Sequence, residues 1–342
     1  MRVLVAMSGG VDSSVAAALV LDAGHEAVGA TMKLWGGPSD TGCCSVSDVE
    51  DARRVAQQLG INHQVFNFSE DFESRVVGPY VAEHAAGRTP NPCIECNRHL
   101  KFDRFLERAV RLGFDAVATG HHARVERRGE GWCLRRGADE AKDQSYVLHM
   151  LGQQQLARVL LPVGGLTKSE VRRRAARLGL RTAAKPDSQD VCFIPRRGGR
   201  KEFLAARTEL HPGRIVDEEG RRIGEVDAVE LVTVGQRRGL SGAIGERYVT
   251  AVDVEQGLVR VGPLAAALVE RLVVQVPAWV DGEPGRGEPL EVQMSAHGRP
   301  VAGRWLGAGE VALGEPVRPV APGQSVVLYR GDCVVGGGLA AG

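Results

Sequence analysis

The run Arg2-Val3-Leu4-Val5-Ala6-Met7-Ser8-Gly9-Gly10-Val11-Asp12-Ser13-Ser14-Val15 decides how this chain is read. Val3 to Ala6 is a short, uninterrupted apolar stretch, the pattern of a strand buried on both faces. Ser8-Gly9-Gly10 reads as a tight loop, and Val15 to Ala23 continues as an apolar helix. Two glycines let the backbone approach an anion closely. The first N–H groups of the helix, with the hydroxyls of Ser8, Ser13 and Ser14, would cradle a phosphate. Asp12 is placed either to cap the helix or to hold Mg²⁺ on the phosphates. The plainer alternative is an ordinary glycine turn with Asp and Ser caps, but SGGVDSS directly after a strand is far more specific than a lone Gly-Gly. The pattern is neither G-x-x-x-x-G-K-[ST] nor G-x-G-x-x-G.

Working outward, strands and helices alternate. Glu26 to Met32 is the next strand, Val49 to Leu59 a helix closed by Gly60, and Gln64 to Phe68 a strand. Leu100 to Leu112 is helical, and Asp115 to Thr119 is a strand running into Gly120-His121-His122. Such a βαβ rhythm predicts a Rossmann-like parallel sheet with helices on both faces and sites at the carboxyl ends of its strands. Near residue 205 the texture changes to short strands divided by Gly and Pro: Gly213 to Val216, Val229 to Val234, Tyr248 to Val254, Leu258 to Val261. A second such block holds Val273 to Val276, Leu290 to Met294 and Ser325 to Tyr329. The expected layout is an α/β domain over 1–204, a central β-rich domain over 205–267 and a β-barrel-like domain over 268–342.

The chain has 342 residues, 43% hydrophobic and 25% charged, the balance of a globular protein. No apolar run approaches the roughly 20 residues of a membrane span. Met1-Arg2 leads straight into a strand rather than a signal peptide, so the expected location is cytoplasmic, with no membrane partner. Net charge is +1, but residues 1–200 carry +5 and residues 201–342 carry −4. Arg158 to Lys201 holds twelve basic residues against three acidic ones, read as Arg-rich helices over 158–181. That run is either a solvated surface in an Arg-rich chain or a surface for a polyanion.

Seven cysteines in a reducing compartment point to catalysis or metal binding rather than a disulfide framework. Pro92-Cys93-Ile94-Glu95-Cys96 puts two sulfurs in one turn near a helix N-terminus, where a thiolate is stabilised. Cys192 lies about a hundred residues away, so only the fold can join it to the pair. Cys133 and Cys333, in β-like apolar context, read as inert small hydrophobes. Cys43-Cys44 follows a Gly-rich loop and is open between a loop role and none. Structural zinc is the bland rival for C-x-x-C, although no second C-x-x-C or H-x₃₋₅-H supplies the remaining ligands.

The S-G-G-x-D-S signature resembles that of the PP-loop ATP pyrophosphatase superfamily. Those enzymes cleave ATP between its α- and β-phosphates and adenylate an oxygen of the substrate. Taken with the cysteines, the chain resembles the tRNA-specific 2-thiouridylase family. The resemblance is carried by SGGVDSS, Thr31-Met32-Lys33, Gly87 to Pro92, Cys96-Asn97, Ala118-Thr119-Gly120-His121, Lys142 to Tyr146, Asp187-Ser188, Cys192-Phe193-Ile194, Gly235 to Leu240 and Pro322 to Ser325. These occur in family order over nearly the whole chain. The resemblance implies an adenine nucleotide α hydrolase-like fold and thiolation of C2 of the wobble uridine, with ATP and Mg²⁺ as cofactors. It implies tRNA of the Lys, Glu and Gln type as substrate, and a sulfur donor such as a cysteine desulfurase or sulfur-relay protein.

Residue by residue, the resemblance makes Cys192 the carrier of a persulfide sulfur and Cys96 the nucleophile that releases it through a disulfide. Ala6, Met7, Ser8, Gly9, Gly10, Val11, Asp12, Ser13, Met32 and Gly120 match the ATP site. Asn91, Pro92 and Cys93 match the segment beside the target base, and His121, Lys142, Asp143, Gln144 and Gln324 match tRNA contacts. There are two departures. Some members carry Asp at the position of Cys93, and a thiol cannot take over a carboxylate's role unchanged. Cys93, Cys96 and Cys192 could instead hold three irons of a [4Fe–4S] cluster, so relay and cluster both stay open. The other departure is Ser295-Ala296-His297, which stands where an Arg-Tyr-like tRNA contact is expected. Two rivals remain: a PP-loop amide ligase, which leaves the cysteines idle, and a non-catalytic, metal-stapled RNA-binding module, which leaves SGGVDSS unexplained.

Overall fold

The computed structural model describes residues 1–34, 45–187, 191–194, 198–240 and 246–341. The expectations placed on Cys43-Cys44 and Ser188 lie outside the described residues.

The opening strand, Arg2–Ala6, is the centre of a five-stranded parallel sheet. Across the sheet the order is His63–Asn67, Glu26–Lys33, Arg2–Ala6, Ala116–Ala118, Val159–Leu160. Its alternation explains the unbroken apolar run. Val3, Val5 and Met7 pack on one side with the helices Val11–Asp22, Val46–Gln58 and Lys168–Arg177. Leu4 and Ala6 pack on the other with Phe102, Phe105 and Ala109. Both faces are dry, so neither residue set can be polar.

The middle segment forms a four-stranded sheet in the order Tyr248–Asp253, Leu258–Gly262, Gly213–Val216, Arg222–Val226. The expected strand Val229 to Val234 is instead a single 3₁₀ turn over Val229–Leu231. Val229 and Val232 both enter the core, at the i, i+3 spacing of a 3₁₀ turn. Glu230 is buried between them because the His211 backbone N–H donates to its carboxylate at 3.1 Å and His211 Nδ1 stands 2.8 Å away.

In the last segment, Val269–Trp279, Pro289–Gln293, Val301–Gly307, Glu310–Val317, Ser325–Arg330 and Cys333–Ala340 close into a six-stranded antiparallel barrel. Closure falls to Val269–Trp279, which pairs with Glu310–Val317 at one end and Cys333–Ala340 at the other. The register shifts between Gln275 and Ala278, and Val276 takes φ +48° at that bulge. A hairpin that the sequence reading missed, Ala123–Arg128 and Gly131–Arg136, leaves the α/β unit and continues the barrel's sheet through Cys333 and Arg135. Arg124 and Arg135 both bind Asp332 across that junction. The basic run also folds differently from expectation: within 158–181 the one α-helix of the described residues is Lys168–Arg177.

Thr89 ties all three parts together. Its N–H donates to Pro322 O at 2.7 Å, Gln324 Nε2 donates to its carbonyl at 2.6 Å, and its hydroxyl donates to Thr233 at 3.3 Å. Four residues further along lies Cys93.

Candidate active site

The loop after the first strand opens a cavity of about 480 Å³ at the carboxyl edge of the parallel sheet. Helix Val11–Asp22 starts there, capped by the Gly10 backbone with no side-chain cap. Asp12 is therefore not the cap, which corrects one of its two expected roles. The Asp12 carboxylate is gripped instead: Lys168 Nζ donates to both oxygens at 2.8 and 2.6 Å, and His122 Nε2 stands 3.0 Å from Oδ1. Burial alone would raise the Asp12 pKa. The hydrogen bonds from His122 and Lys168 outweigh it, and the net shift is downward.

Two glycines are required by close contact. Gly9 has φ +72°, and a Cβ there would stand 2.3 Å from Asp48 O. A Cβ on Gly120 would stand 2.6 Å from Ser13 N. Gly120 thus lets the end of strand Ala116–Ala118 lie against the phosphate loop. Ser8 and Ser13 line the cavity with their hydroxyls 3.4 Å apart, whereas Ser14 is buried and donates to Gly10 O at 2.8 Å.

The expected ATP residues Ala6, Met7, Ser8, Gly10, Val11, Asp12, Ser13, Met32 and Gly120 all line this cavity, while Gly9 supports it from behind. His121, Lys142, Asp143 and Gln144 line it too. Asp143 and Gln144 are also structural. Asp143 takes the N–H groups of Gly137 and Ser145, and Gln144 Oε1 accepts from His122 N at 2.8 Å. Lys142 Nζ donates to Asp187 at 2.9 Å. Asp187 also receives Lys168 at 2.9 Å and Arg172 at 2.7 Å. Burial would raise its pKa, but the bonds from Lys142 and Lys168 bring it down to about 2.

The sequence reading missed Lys168, Lys185, Asp48, His122, Lys101 and, as a wall of this cavity, His297. Lys185 donates to Gly9 O at 3.0 Å, Asp48 at 2.6 Å and Asp51 at 2.7 Å, fixing the loop from outside. A signal was present: only six residues of this Arg-rich chain are Lys, and four of them, Lys101, Lys142, Lys168 and Lys185, line the cavity. Within the basic run, Arg172 turns away from the outer surface. Its guanidinium donates inward to Ala183 O, Lys185 O and Asp187. His297, in the departing Ser295-Ala296-His297 segment, brings the last barrel to the cavity wall.

The cysteines stand beside the cavity rather than in it. Asn91 caps the turn Pro92–Glu95, accepting from Cys93 N at 3.1 Å. Cys93 is exposed, and Cys96 is buried in an apolar cluster with Phe72, Tyr80, Leu100 and Phe193. Cys192 packs on the same cluster, so the fold brings it to the apolar group that holds Cys96. Tyr80 makes edge contact with Phe193 at 5.4 Å and lies within electrostatic reach of Cys93. Met32 and Leu34 pack on this cluster and also line the cavity. Among the described residues, no three His, Cys, Asp or Glu side chains are grouped to hold a metal ion. Cys133 and Cys333 lie far from this site, in the hairpin and barrel strands, and burial pushes the Cys133 thiol up to about 12.

Three family models match the chain in order: a tRNA methyl transferase HUP domain over residues 1–196, a tRNA methyl transferase PRC-barrel domain over 201–263 and an aminomethyltransferase β-barrel domain over 269–340. Fold and site together define a nucleotide-binding α/β protein of the HUP class that carries two small β modules. The chain is 48% identical over 347 residues to the tRNA-specific 2-thiouridylase MnmA of Thermobifida fusca, covering 98% of this chain and 94% of that one. It is 49% identical over 346 residues to the MnmA of Mycolicibacterium smegmatis, covering 97% and 96%. The chain belongs to the tRNA-specific 2-thiouridylase family. Among solved structures, a 4-thiouridine synthetase–RNA complex with bound ATP aligns at a TM-score of 0.38 and 20% identity, covering 56% of this chain and 44% of that one. No helix of the described residues is long and apolar enough to cross a membrane.

Proposed function

We propose that this chain thiolates C2 of the wobble uridine of tRNA at the expense of ATP, through an adenylated tRNA. The observation that carries this reading is the pair of adjoining compartments. A phosphate-loop cavity and a cysteine-bearing apolar cluster share Met32 and Leu34 as their common wall. Both compartments suit sulfur transfer by way of adenylation.

Uridine O2, its N3 proton released, attacks the α-phosphorus. The O2–P bond forms, the bond to the bridging oxygen of the β-phosphate breaks, and pyrophosphate leaves with the electron pair. Ser8, Ser13 and the first N–H groups of helix Val11–Asp22 hold the phosphates, and Asp12 with Lys168 and His122 orders them. Asp12 and Asp187 suit a Mg²⁺ ion arriving with the nucleotide, which would offset phosphate charge. The persulfide sulfur on Cys192 then attacks C2, forming C–S and breaking C–O so that AMP departs. The Cys96 thiolate attacks Cys192 Sγ, a Cys96–Cys192 disulfide forms, and sulfur stays on C2 as N3 is reprotonated. A thiol reductant resets the pair. The uridine must be unstacked to reach the site, which a single-stranded anticodon loop permits at little cost.

On this reading the substrates are tRNAs of the Lys, Glu and Gln type, and the sulfur comes from a cysteine desulfurase or sulfur-relay protein in the cytoplasm. The three units 1–204, 205–267 and 268–342 supply catalysis, linkage and a second RNA-facing wall. The test is pyrophosphate release from ATP with and without tRNA. Release that requires tRNA and yields an AMP–tRNA adduct in the absence of sulfur donor supports the reading. Release without tRNA, or with ammonia as the acceptor, contradicts it.

A further inference from the structure

Lys101 differs from the other lysines of the cavity. Lys142, Lys168 and Lys185 are each bound to carboxylates at 2.6–2.9 Å. Among the described residues Lys101 has no carboxylate partner. Its Nζ stands 3.5 Å from His121 Nε2. The ammonium can only donate, so Nε2 accepts and Nδ1 carries the ring proton, donating to Thr119 Oγ1 at 2.7 Å. His121 is buried, and that burial with the neighbouring Lys101 charge keeps the imidazole neutral. Lys101 therefore brings an uncompensated positive charge to the cavity wall, oriented by a neutral ring.

Its position along the chain matters equally. Lys101 belongs to the π-helical stretch Cys96–Arg104. In an α-helix residues five apart point about 140° away from each other. A π-turn, with its i to i+5 hydrogen bond, stacks them on one face. Cys96, in the cysteine cluster, and Lys101, in the nucleotide cavity, are five apart. The widened helix thus sets this cation on the seam between the two compartments.

We propose that Lys101 is a catalytic residue whose ammonium binds a non-bridging oxygen of the α-phosphate throughout the reaction. This rests on the reading given under Proposed function. When uridine O2 attacks, negative charge develops on the α-phosphoryl oxygens, and Lys101 neutralises it as pyrophosphate leaves. When sulfur attacks C2, the same contact stabilises AMP as it takes the electron pair of the breaking C–O bond. Lys101 keeps its proton in both steps. The seam is where the α-phosphate must lie if one residue is to serve both, with the β- and γ-phosphates toward Asp12 and the base toward the cysteines.

The test uses the full chain with Lys101→Met and Lys101→Arg. AMP and adenosine, which differ only in the phosphate, are titrated against each variant, and tRNA-dependent pyrophosphate release is measured in parallel. The expected result is loss of AMP affinity by Lys101→Met with adenosine affinity unchanged. The kcat for pyrophosphate release should fall about 10²-fold and recover in part in Lys101→Arg. Equal loss of AMP and adenosine affinity would make Lys101 a strut for His121 and overturn the proposal. So would a raised KM for tRNA at unchanged kcat, the signature of an RNA-backbone contact. The AMP–adenosine comparison needs no tRNA. It judges Lys101 even if wild-type enzyme releases no tRNA-dependent pyrophosphate, a result that would fall on the functional reading instead.

Discussion

Asp12 concentrates the residue-scale argument, since two cations and a helix start converge on one carboxylate. Asp12→Ala should abolish tRNA-dependent pyrophosphate release while leaving the thermal unfolding midpoint within a few degrees of wild type. Retained release would remove Asp12 from the phosphate site. Cys93 poses the sharper question, because it is exposed while Cys96 and Cys192 share a buried cluster. A persulfide relay gives Cys93 no sulfur-handling role. Cys93→Ala, assayed anaerobically, should thiolate within about threefold of wild type with no iron bound, while Cys192→Ser loses thiolation and keeps adenylation. Loss of thiolation in Cys93→Ala together with loss of iron that the wild-type protein binds, adenylation intact, would favour a three-cysteine cluster. The identity of these residues was legible, because SGGVDSS and C-x-x-C carry their chemistry in local spacing. Their partners were not. Lys168 reaches Asp12 across 156 residues and Lys185 reaches Asp48 across 137, and no local pattern encodes such pairings.

At the scale of elements, helix Lys168–Arg177 places the lysine that grips Asp12. Thr167 begins it with a reciprocal capping box, its hydroxyl accepting from Glu170 N and Glu170 accepting from Thr167 N at 2.7 Å. Thr167→Ala should cost about 1 kcal/mol of stability. Because Lys168 is the first residue of the helix, the change should also raise the KM for ATP. An unchanged KM at a lowered unfolding midpoint would show that Lys168 is placed by Asp12 and Asp187 rather than by its helix. Elements with apolar periodicity were readable: the strand Arg2–Ala6 and helix Val11–Asp22 stand where the sequence puts them, give or take a turn. The hairpin Ala123–Arg128 and Gly131–Arg136 was not, since Arg124, Glu126, Arg127 and Arg128 mask the strand alternation with charge. Val229 to Val234 failed the opposite way, as an apolar run that forms a turn.

For the whole molecule, the uneven charge has a more specific meaning than its total. Arg172, Lys168 and Lys185 of the basic run point inward and hold the site, while Arg173 and Arg177 remain exposed. Affinity for tRNA should fall steeply with salt. Arg173→Ala and Arg177→Ala should each reduce the slope of log K against log salt by about one, with kcat unchanged. A slope unaffected by both would return this surface to ordinary solvated charge. Arg172→Ala, by contrast, should lower kcat through Asp187 and leave the slope alone. The meeting of three units at Thr89, and the arrival of His297 from the last barrel at the cavity wall, suit a substrate large enough to touch all of them.

The central claim joins two chemistries in one event: cleavage of ATP at the α-phosphate and delivery of sulfur to C2 of one uridine. The most direct measurement incubates the enzyme with ATP, unmodified tRNA of the Lys type and a persulfide-forming sulfur donor, then digests the tRNA to nucleosides for mass analysis. The account predicts one 2-thiouridine per tRNA, located at the wobble position and matched by one pyrophosphate released. Full pyrophosphate release with tRNA of unchanged nucleoside composition, or sulfur found at any other position, would contradict it.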